Sequence, residues 1–134
     1  MDRVFLDANV LYAAAYREGS PLRRLWQLPD VELWASDYAV AEALGNLSED
    51  RPERADELRR LVSLLRMTAH EQAEAALLEG VSIADKDRPI LAAAIRAQAR
   101  YLLTGDKMHF GPYLGQVVGG VHILTPAQFL ATKR

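Results

Sequence analysis

The chain has 134 residues, of which half are hydrophobic and a quarter are charged, and its formal net charge is -2. This length and composition are typical of one globular unit, so we predict a single domain over residues 1–134. The absence of cysteine excludes disulfide bonds, a thiolate zinc site and a cysteine nucleophile. The slightly negative charge argues against indiscriminate electrostatic attraction of nucleic acid by the whole molecule.

The chain starts on the strand-like segment RVFLD, without the basic stretch and long apolar run of a signal peptide. None of its apolar segments approaches the roughly 20 residues that span a bilayer. We therefore expect a cytoplasmic protein that does not contact a membrane.

Several arginines are concentrated in the first half of the chain. They are Arg17, Arg23, Arg24, Arg51, Arg54, Arg59, Arg60 and Arg66. Either they form a solvated helical surface, which we favour on charge alone, or they form a basic rim around an acidic centre.

Hydrophobic periodicity and breaker residues predict alternating strands and helices in the first half. Val31, Leu33 and Ala35 alternate with polar or aromatic neighbours, which is typical of a strand, whereas residues 58–65 carry an apolar stripe at helical spacing. The predicted elements, in chain order, are a strand (3–7), a helix (9–19), a helix opened by Ser20 and Pro21, a strand (31–36), a helix (37–47) and a helix (52–66).

The second half continues this alternation. Pro89 is compatible only with the first turn of a helix, and Thr125 with Pro126 forms the start of a last short helix. The predicted elements are a helix (70–80), a helix (87–99), a strand (101–105), an irregular stretch, a strand in the second half of 116–125, and a helix (127–133). Strands that alternate with helices predict an α/β fold, a three-layer sandwich in which helices flank a central, mainly parallel sheet.

Two carboxylates follow predicted strands at the point where each strand ends. Asp7 comes directly after the apolar residues 4–6, and Asp106 comes directly after the Thr104-Gly105 turn. Functional groups of parallel sheets collect at the carboxyl ends of the strands, so we expect both acids at the same sheet edge if the two strands are neighbours. For Asp7 alone, the alternative is an N-cap of the helix that follows it.

Two further acids lie on predicted helices. Asp87 precedes Ile90 and Leu91 at offsets that extend the buried stripe of its helix, although an N-cap role also explains its position. Glu42 is the only charged residue in the stretch 38–47. Either it is an ordinary exposed glutamate, or it occupies a partly enclosed acidic position.

Four carboxylates drawn together repel one another, and at least one is protonated unless a cation intervenes. A hard divalent ion such as Mg²⁺ or Mn²⁺ takes carboxylate oxygens as ligands and resolves that conflict. Such an ion can lower the pKa of a water molecule, orient a phosphate and stabilise the leaving oxygen of an in-line displacement. The spacing of the acids is compatible with this chemistry without requiring it.

The sequence resembles the PIN-domain family, the fold of VapC-type toxin ribonucleases, in four ordered segments. The segments are VFLDANVL with Asp7, SDYAVAEALGNL with Glu42, DKDRPILAAAI with Asp87, and YLLTGDKMHF with Asp106. The closing segment VHILTPAQFL is also similar to the last strand and helix of this group. The third segment departs from the family pattern, because Arg88 and Pro89 stand where further acidic residues are common, so a share of Asp85 in metal binding stays open.

The resemblance implies a Mg²⁺- or Mn²⁺-dependent endoribonuclease, the toxin of a toxin–antitoxin pair. Its implied metal site consists of Asp7, Asp87 and Asp106 as main ligands, with Glu42 holding a water molecule or a second ion. The implied partners are an RNA substrate, a cognate antitoxin protein and a second copy of the chain in a homodimer. In-line attack by water leaves 5′-phosphate and 3′-hydroxyl ends.

Other functions remain open at this stage. A module with this fold could keep its carboxylates and act only by binding RNA or an antitoxin. Response-regulator receivers and aspartate-nucleophile phosphatases also gather acids at strand ends, but they need an acidic pair or Asp-x-Asp after the first strand. This chain has Asp7, Ala8 and Asn9 there. No G-x-G-x-x-G follows the first strand either, which argues against a dinucleotide-binding fold.

Overall fold

The computed structural model describes residues 1–69 and 75–133, and the strands of this part of the chain form a six-stranded sheet. The strands are β1 (Asp2–Leu6), β2 (Val31–Ser36), β3 (Arg66–Thr68), β4 (Tyr101–Leu103), β5 (Val117–Val118) and β6 (Val121–Leu124). Their order across the sheet is β3-β2-β1-β4-β6-β5. Neighbouring strands are parallel except for β5 and β6, which are antiparallel.

Helices flank this sheet. The α-helices of the described residues are α1 (Ala8–Tyr16), α2 (Asp37–Asp50), α3 (Ala55–Val62), α4 (Arg88–Arg96), α5 (Lys107–Phe110) and α6 (Pro126–Ala131). Short 3-10 helices cover Pro21–Gln27, Pro52–Arg54, Ala75–Leu78 and Gly111–Tyr113. The predicted α/β fold with a mainly parallel sheet is therefore confirmed. Among the described residues, no helix combines the length and the apolar character needed to cross a bilayer.

The central strands β1 and β4 are parallel neighbours, with Leu6 opposite Leu103. The pairing continues one step further, because the Asp7 amide donates to the Leu103 carbonyl (3.0 Å) and the Thr104 amide donates to the Leu124 carbonyl (3.0 Å). The carboxyl ends of β1, β4 and β6 therefore lie side by side. This register is fixed by fully buried apolar residues, among them Phe5 and Leu102, since a slip of one residue would turn them to the opposite face.

Side-chain caps start three helices at this sheet edge directly after a strand, namely α1 at Asp7, α2 at Ser36 and α6 at Thr125. The Ser36 hydroxyl accepts from the Ala39 amide at the start of α2 (3.1 Å), so this helix begins without an intervening loop. Thr125 and Gln128 form a reciprocal capping box at the start of α6. The predicted N-cap at Thr125-Pro126 is thereby confirmed.

The structure differs from the sequence prediction in several places. The stretch predicted to be irregular contains α5 and a 3-10 helix, and β5 precedes the predicted last strand. The segment from Pro21 forms a 3-10 helix rather than an α-helix, and the predicted helix 52–66 splits into a 3-10 turn and α3, which ends at Val62. The chain then forms β3, an edge strand of three residues that is too short to show a period in the sequence. Of the predicted helix 70–80, residues 70–74 lie outside the described residues and Ala75–Leu78 is a 3-10 helix.

The turn between β5 and β6 packs against α4. Gly119 and Gly120 both have positive φ angles, of 56° and 83°. A Cβ atom on Gly119 would lie 2.8 Å from Ile95 Cδ1, whereas nothing lies within 4 Å of one on Gly120. Because Ile95 belongs to α4, the close approach of this turn supports the helix that starts next to Asp87.

Gly119→Ala should lower the free energy of unfolding by about 2–5 kcal/mol, because a left-handed backbone costs about 1–2 kcal/mol and the displaced Ile95 adds about 1–3 kcal/mol. Gly120→Ala is the matched control and should show only the backbone cost of about 1–2 kcal/mol. Urea denaturation of the three proteins measures both values. Equal losses in the two variants would contradict the packing of Ile95 against the turn.

Candidate functional site

A surface cavity of about 390 Å³ lies at the carboxyl ends of β1 and β4. Four acids from four separate segments of the chain line it, namely Asp7, Glu42, Asp87 and Asp106. The remaining lining residues are Ala8, Asn9, Tyr12, Asn46, Asp50, Lys86 and Gly105. The acids singled out in the sequence thus share one cavity although up to 99 positions separate them along the chain (106 minus 7).

Asp7 is almost completely buried, with 2% of its surface exposed. Its Oδ1 accepts from the Ala8 amide (2.7 Å), so Asp7 does cap α1. Its Oδ2 accepts from the Thr104 hydroxyl (2.8 Å) and from Asn9 Nδ2 (3.3 Å). A carboxylate has about four acceptor positions, and three of them are filled by donors that fix its orientation.

Burial raises the pKa of the Asp7 carboxyl from 3.8 to about 6. The hydrogen bonds from Thr104 and Ala8 act in the opposite direction, and the negative charges of Asp87 and Glu42 raise the pKa further. The three acids therefore interact electrostatically across the cavity, and their mutual repulsion favours the protonated form of Asp7.

The Thr104-Gly105 turn connects Asp106 to this network. The Thr104 hydroxyl oxygen accepts from the Asp106 amide (3.0 Å) while its proton goes to Asp7, and Thr104 is fully buried. Asn9 Oδ1 accepts from the Gly105 amide (2.8 Å), and Asn9 Nδ2 also approaches Thr104 Oγ1 (3.3 Å). Asn9 thus connects the turn after β4 to Asp7, the acid after β1. These hydrogen bonds hold the backbone from which the Asp106 side chain projects.

Asp87 and Glu42 approach the cavity from α4 and α2. Asp87 occupies the N-cap position of α4 and is 4% exposed, but its side chain makes no capping hydrogen bond. The N-cap position predicted for this residue is therefore confirmed, but its carboxylate does not act as the cap. Glu42 is half-buried, and its Oε2 is enclosed without a hydrogen-bond partner among residues 1–69 and 75–133. Of the two alternatives given by the sequence, Glu42 therefore occupies the partly enclosed acidic position, and its Oε2 can accept a hydrogen bond from a ligand.

Four functional groups at the cavity escaped the sequence prediction, namely Tyr12, Asn46, Asp50 and Lys86. Asn46 and Asp50 follow Glu42 at offsets of four and eight on α2, so one face of this helix lines the cavity. The Tyr12 hydroxyl of α1 donates to Asp50 Oδ2 (2.6 Å), which raises the pKa of Tyr12 to about 12. The i, i+4, i+8 spacing of polar residues on a helix was the signal that could have identified Asn46 and Asp50. Lys86 precedes Asp87 and carries no such signal.

The arginine-rich region does not form a rim around this cavity, since no arginine of the described residues lines it. Arg23 and Arg54 donate to the carbonyls of Ala14 and Ala15 near the end of α1 (3.2 and 2.9 Å). Others form ion pairs with acids of the same face, as Arg59 does with Asp56 (2.8 Å). The interpretation as a solvated, paired helical surface fits these contacts better than the basic rim.

The carboxylate oxygens that line the cavity are the kind of ligand that a hard divalent cation prefers. One of these carboxylates has an enclosed acceptor at Glu42 Oε2. As they stand, no three acidic or histidine side chains of the described ranges lie close enough together to hold a metal ion directly. Mg²⁺ keeps several waters and needs only one or two direct carboxylate ligands, so this spacing is compatible with a hydrated ion. Asp85 is exposed and does not line the cavity.

Solved structures with the same fold belong to toxin–antitoxin systems. VapBC2 from Rickettsia felis, bound to a DNA fragment from its promoter, aligns with a TM-score of 0.70 at 15% identity, over 92% of this chain and 98% of that one. FitAcB from Neisseria gonorrhoeae aligns with a TM-score of 0.61 at 22% identity, over 92% of this chain and 98% of that one. VapC20 from Mycobacterium tuberculosis, a sarcin-ricin loop cleaving toxin, aligns with a TM-score of 0.58 at 18% identity, over 77% of this chain and 91% of that one.

These identities are low, so the likeness establishes the fold alone. Comparison with curated protein sequences finds no significant match. The family model described as "PIN domain" matches residues 3–108, which is most of the chain. This protein therefore belongs to the PIN-domain family.

Proposed function

We propose that this protein is a divalent-metal-dependent endoribonuclease, the toxin of a toxin–antitoxin pair. The observation that carries the proposal is that Asp7, Glu42, Asp87 and Asp106 line one cavity in a chain of a nuclease family. A buried carboxylate whose pKa is raised by burial and by the charges of neighbouring carboxylates, as Asp7 is, is costly for a fold, and such groups concentrate at functional sites.

Each acid has a separate role in this proposal. Asp7, Asp87 and Asp106 would hold Mg²⁺ or Mn²⁺, directly or through water, and Glu42 Oε2 would accept a hydrogen bond from the attacking water. The cation supplies positive charge that lowers the pKa of that water and offsets the charge of the phosphate. Asn9 and Thr104 keep the Asp7 carboxylate in one orientation, so little reorganisation accompanies the reaction.

The proposed partners follow the same assignment. Several relatives with this fold were solved as toxin–antitoxin complexes, among them one from Klebsiella pneumoniae. We propose that this chain also binds a cognate antitoxin protein and forms a homodimer. Sedimentation of the purified chain alone tests the homodimer, and sedimentation of the chain mixed with a candidate antitoxin tests the second partner.

A non-catalytic module that binds RNA or an antitoxin is the second candidate. One observation favours it, because no three acids of the described residues lie close enough to chelate an ion as they stand. Titration with Mn²⁺ separates the candidates. Saturable binding accompanied by RNA cleavage supports the nuclease, and RNA binding without cleavage at any metal concentration supports the module.

Asp7→Asn should reduce metal-dependent RNA cleavage by more than about 100-fold, since even the outer-shell partners of metal ligands contribute about 10- to 100-fold. The assay uses a defined structured RNA with Mg²⁺, Mn²⁺ or EDTA, followed by end-group analysis of the products. Wild-type protein should leave 5′-phosphate and 3′-hydroxyl ends. Undiminished cleavage by the variant, or cyclic phosphate products, would refute this chemistry.

The same variant should be more stable than the wild type at neutral pH without metal. The raised pKa means that the folded state prefers protonated Asp7, so its contribution is fully present below pH 3.8 and is lost as the pH rises through about 6. At 1.4 kcal/mol per pKa unit, the charged Asp7 costs the fold about 3 kcal/mol, and we expect Asp7→Asn to recover about 1–3 kcal/mol.

Urea denaturation in EDTA at pH 7.5 and pH 4 measures this gain, which should shrink toward the lower pH. A variant that is less stable than the wild type at pH 7.5 would mean that the lost carboxylate hydrogen bonds outweigh the relief of burial. A stable Asp7→Asn protein also shows that its loss of cleavage is not a loss of folding.

Thr104→Val should shift the pH dependence of cleavage to higher pH. The Thr104 hydroxyl stabilises the charged form of Asp7, so its removal raises the pKa of the carboxyl further and delays the deprotonation that metal binding needs. Thr104→Ser retains the hydroxyl and is the matched control. Cleavage rates between pH 5.5 and 8.5 at fixed Mn²⁺ provide the measurement, and superimposable profiles of the two variants would contradict this role.

A further inference from the structure

The side chains that line the cavity carry a strong imbalance of charge. Five of them are acidic, because Asp50 joins the four acids already described. Lys86 is the only cationic side chain among the described residues of the lining. A phosphodiester that enters this cavity therefore meets one protein group of opposite charge, whatever cation the acids hold.

The neighbouring cations have other contacts. Arg88 Nη1 donates to the Val81 carbonyl (3.0 Å) and so braces the loop before α4. Arg51 lies over the Tyr16 ring (5.0 Å to the centroid) and near Glu53 (3.8 Å). Lys107, next to Asp106, is exposed and does not line the cavity. None of these groups lines the cavity.

The backbone that carries Lys86 is fixed from two sides. The Tyr38 hydroxyl of α2 donates to the Lys86 carbonyl (3.1 Å), and the Asp87 amide donates to the Ala84 carbonyl (2.9 Å) in the turn before α4. The Lys86 side chain itself is exposed, and no ion pair joins it to an acid of residues 1–69 or 75–133. The backbone of Lys86 is thus held in place, while its ammonium group forms no ion pair with the described acids. This combination is typical of a residue that contacts a ligand rather than one that stabilises the fold.

We infer that Lys86 is a substrate-binding residue whose ammonium group contacts a phosphate of the bound RNA strand. The inference rests on the proposed function and names the one protein cation that this function uses at the cavity. A lysine contact to phosphate positions the strand without reading its sequence. Its contribution is therefore the same for every RNA sequence and decreases with salt.

Lys86→Ala should raise KM for a single-stranded oligoribonucleotide on the order of tenfold, as expected for a lost charged hydrogen bond, with a smaller change in kcat. The logarithm of affinity against the logarithm of salt concentration should become less steep by about 0.7, the value for one phosphate contact on a single strand. Both effects should be equal for oligonucleotides of unrelated sequence. Because the Tyr38 contact uses the backbone carbonyl, the substitution leaves it intact.

Two controls accompany this variant. Lys86→Arg keeps the charge and should retain the salt dependence of the wild type. Lys107→Ala removes the same charge near the same sheet edge but outside the cavity lining, and its KM should stay near that of the wild type. Mn²⁺ affinity, measured by calorimetry, should be unchanged or slightly tighter in Lys86→Ala, because a cation beside the acids has been removed.

The outcomes separate this inference from the proposed function. If the wild type cleaves RNA and Lys86→Ala has the same KM and salt dependence, the lysine contact is refuted and the nuclease function stands. If Lys86→Ala instead loses Mn²⁺ affinity, the lysine supports the acidic cluster and the contact is again refuted. If no metal supports cleavage, the nuclease proposal fails, but the lysine contact can still be tested by RNA binding. Fluorescence anisotropy then compares the RNA affinity of Asp7→Asn with that of Asp7→Asn/Lys86→Ala. Weaker binding by the double variant supports the contact, and equal binding refutes it.

Discussion

The candidate site depends on the parallel pairing of β1 with β4. This pairing places the end of one strand beside the end of the other, so that the Thr104 hydroxyl reaches Asp7 Oδ2 at 2.8 Å. Thr104 and Asp7 are separated by 97 positions in the sequence, and only the sheet register brings them together. Asn9 reinforces the contact by bonding both residues and the Gly105 amide. A carboxylate that is 2% exposed needs such donors, because burial without them costs several kcal/mol.

Under the proposed function, this arrangement would set the stability of the fold against metal binding. Burial and the charges of Asp87 and Glu42 favour the protonated form of Asp7, whereas a metal ligand must be deprotonated. The fold therefore carries an electrostatic cost at neutral pH that a bound cation would remove. An ion that binds only the folded state stabilises it by mass action, so metal binding and folding would reinforce each other. The capped helices and the apolar strands of the sheet supply the stability against which this cost is set.

The sequence predicted the elements whose hydrophobic period repeats over a long segment, and the residues whose chemistry is specific. Strand ends pointed to Asp7 and Asp106, and the apolar offsets pointed to Asp87, all three of which line the cavity. The three-residue strand β3 and the four-residue 3-10 helix Ala75–Leu78 were not predicted as separate elements, because they are too short to show a repeat in the sequence. Lys86 was missed for a different reason. Exposed lysines are common on any surface, and only the tertiary arrangement shows which of them border a cavity.

The charge distribution also bears on how such a protein would select its substrate. Several arginines of the first half pair with acids or with carbonyls of α1, and no arginine of the described residues lines the cavity. With a net charge of -2 and five acids around the cavity, the metal-free site repels a phosphate backbone. A bound divalent cation reverses part of that field, and Lys86 adds to the reversal. Cation and RNA would then bind cooperatively, and by thermodynamic linkage each would raise the affinity of the other by the same factor.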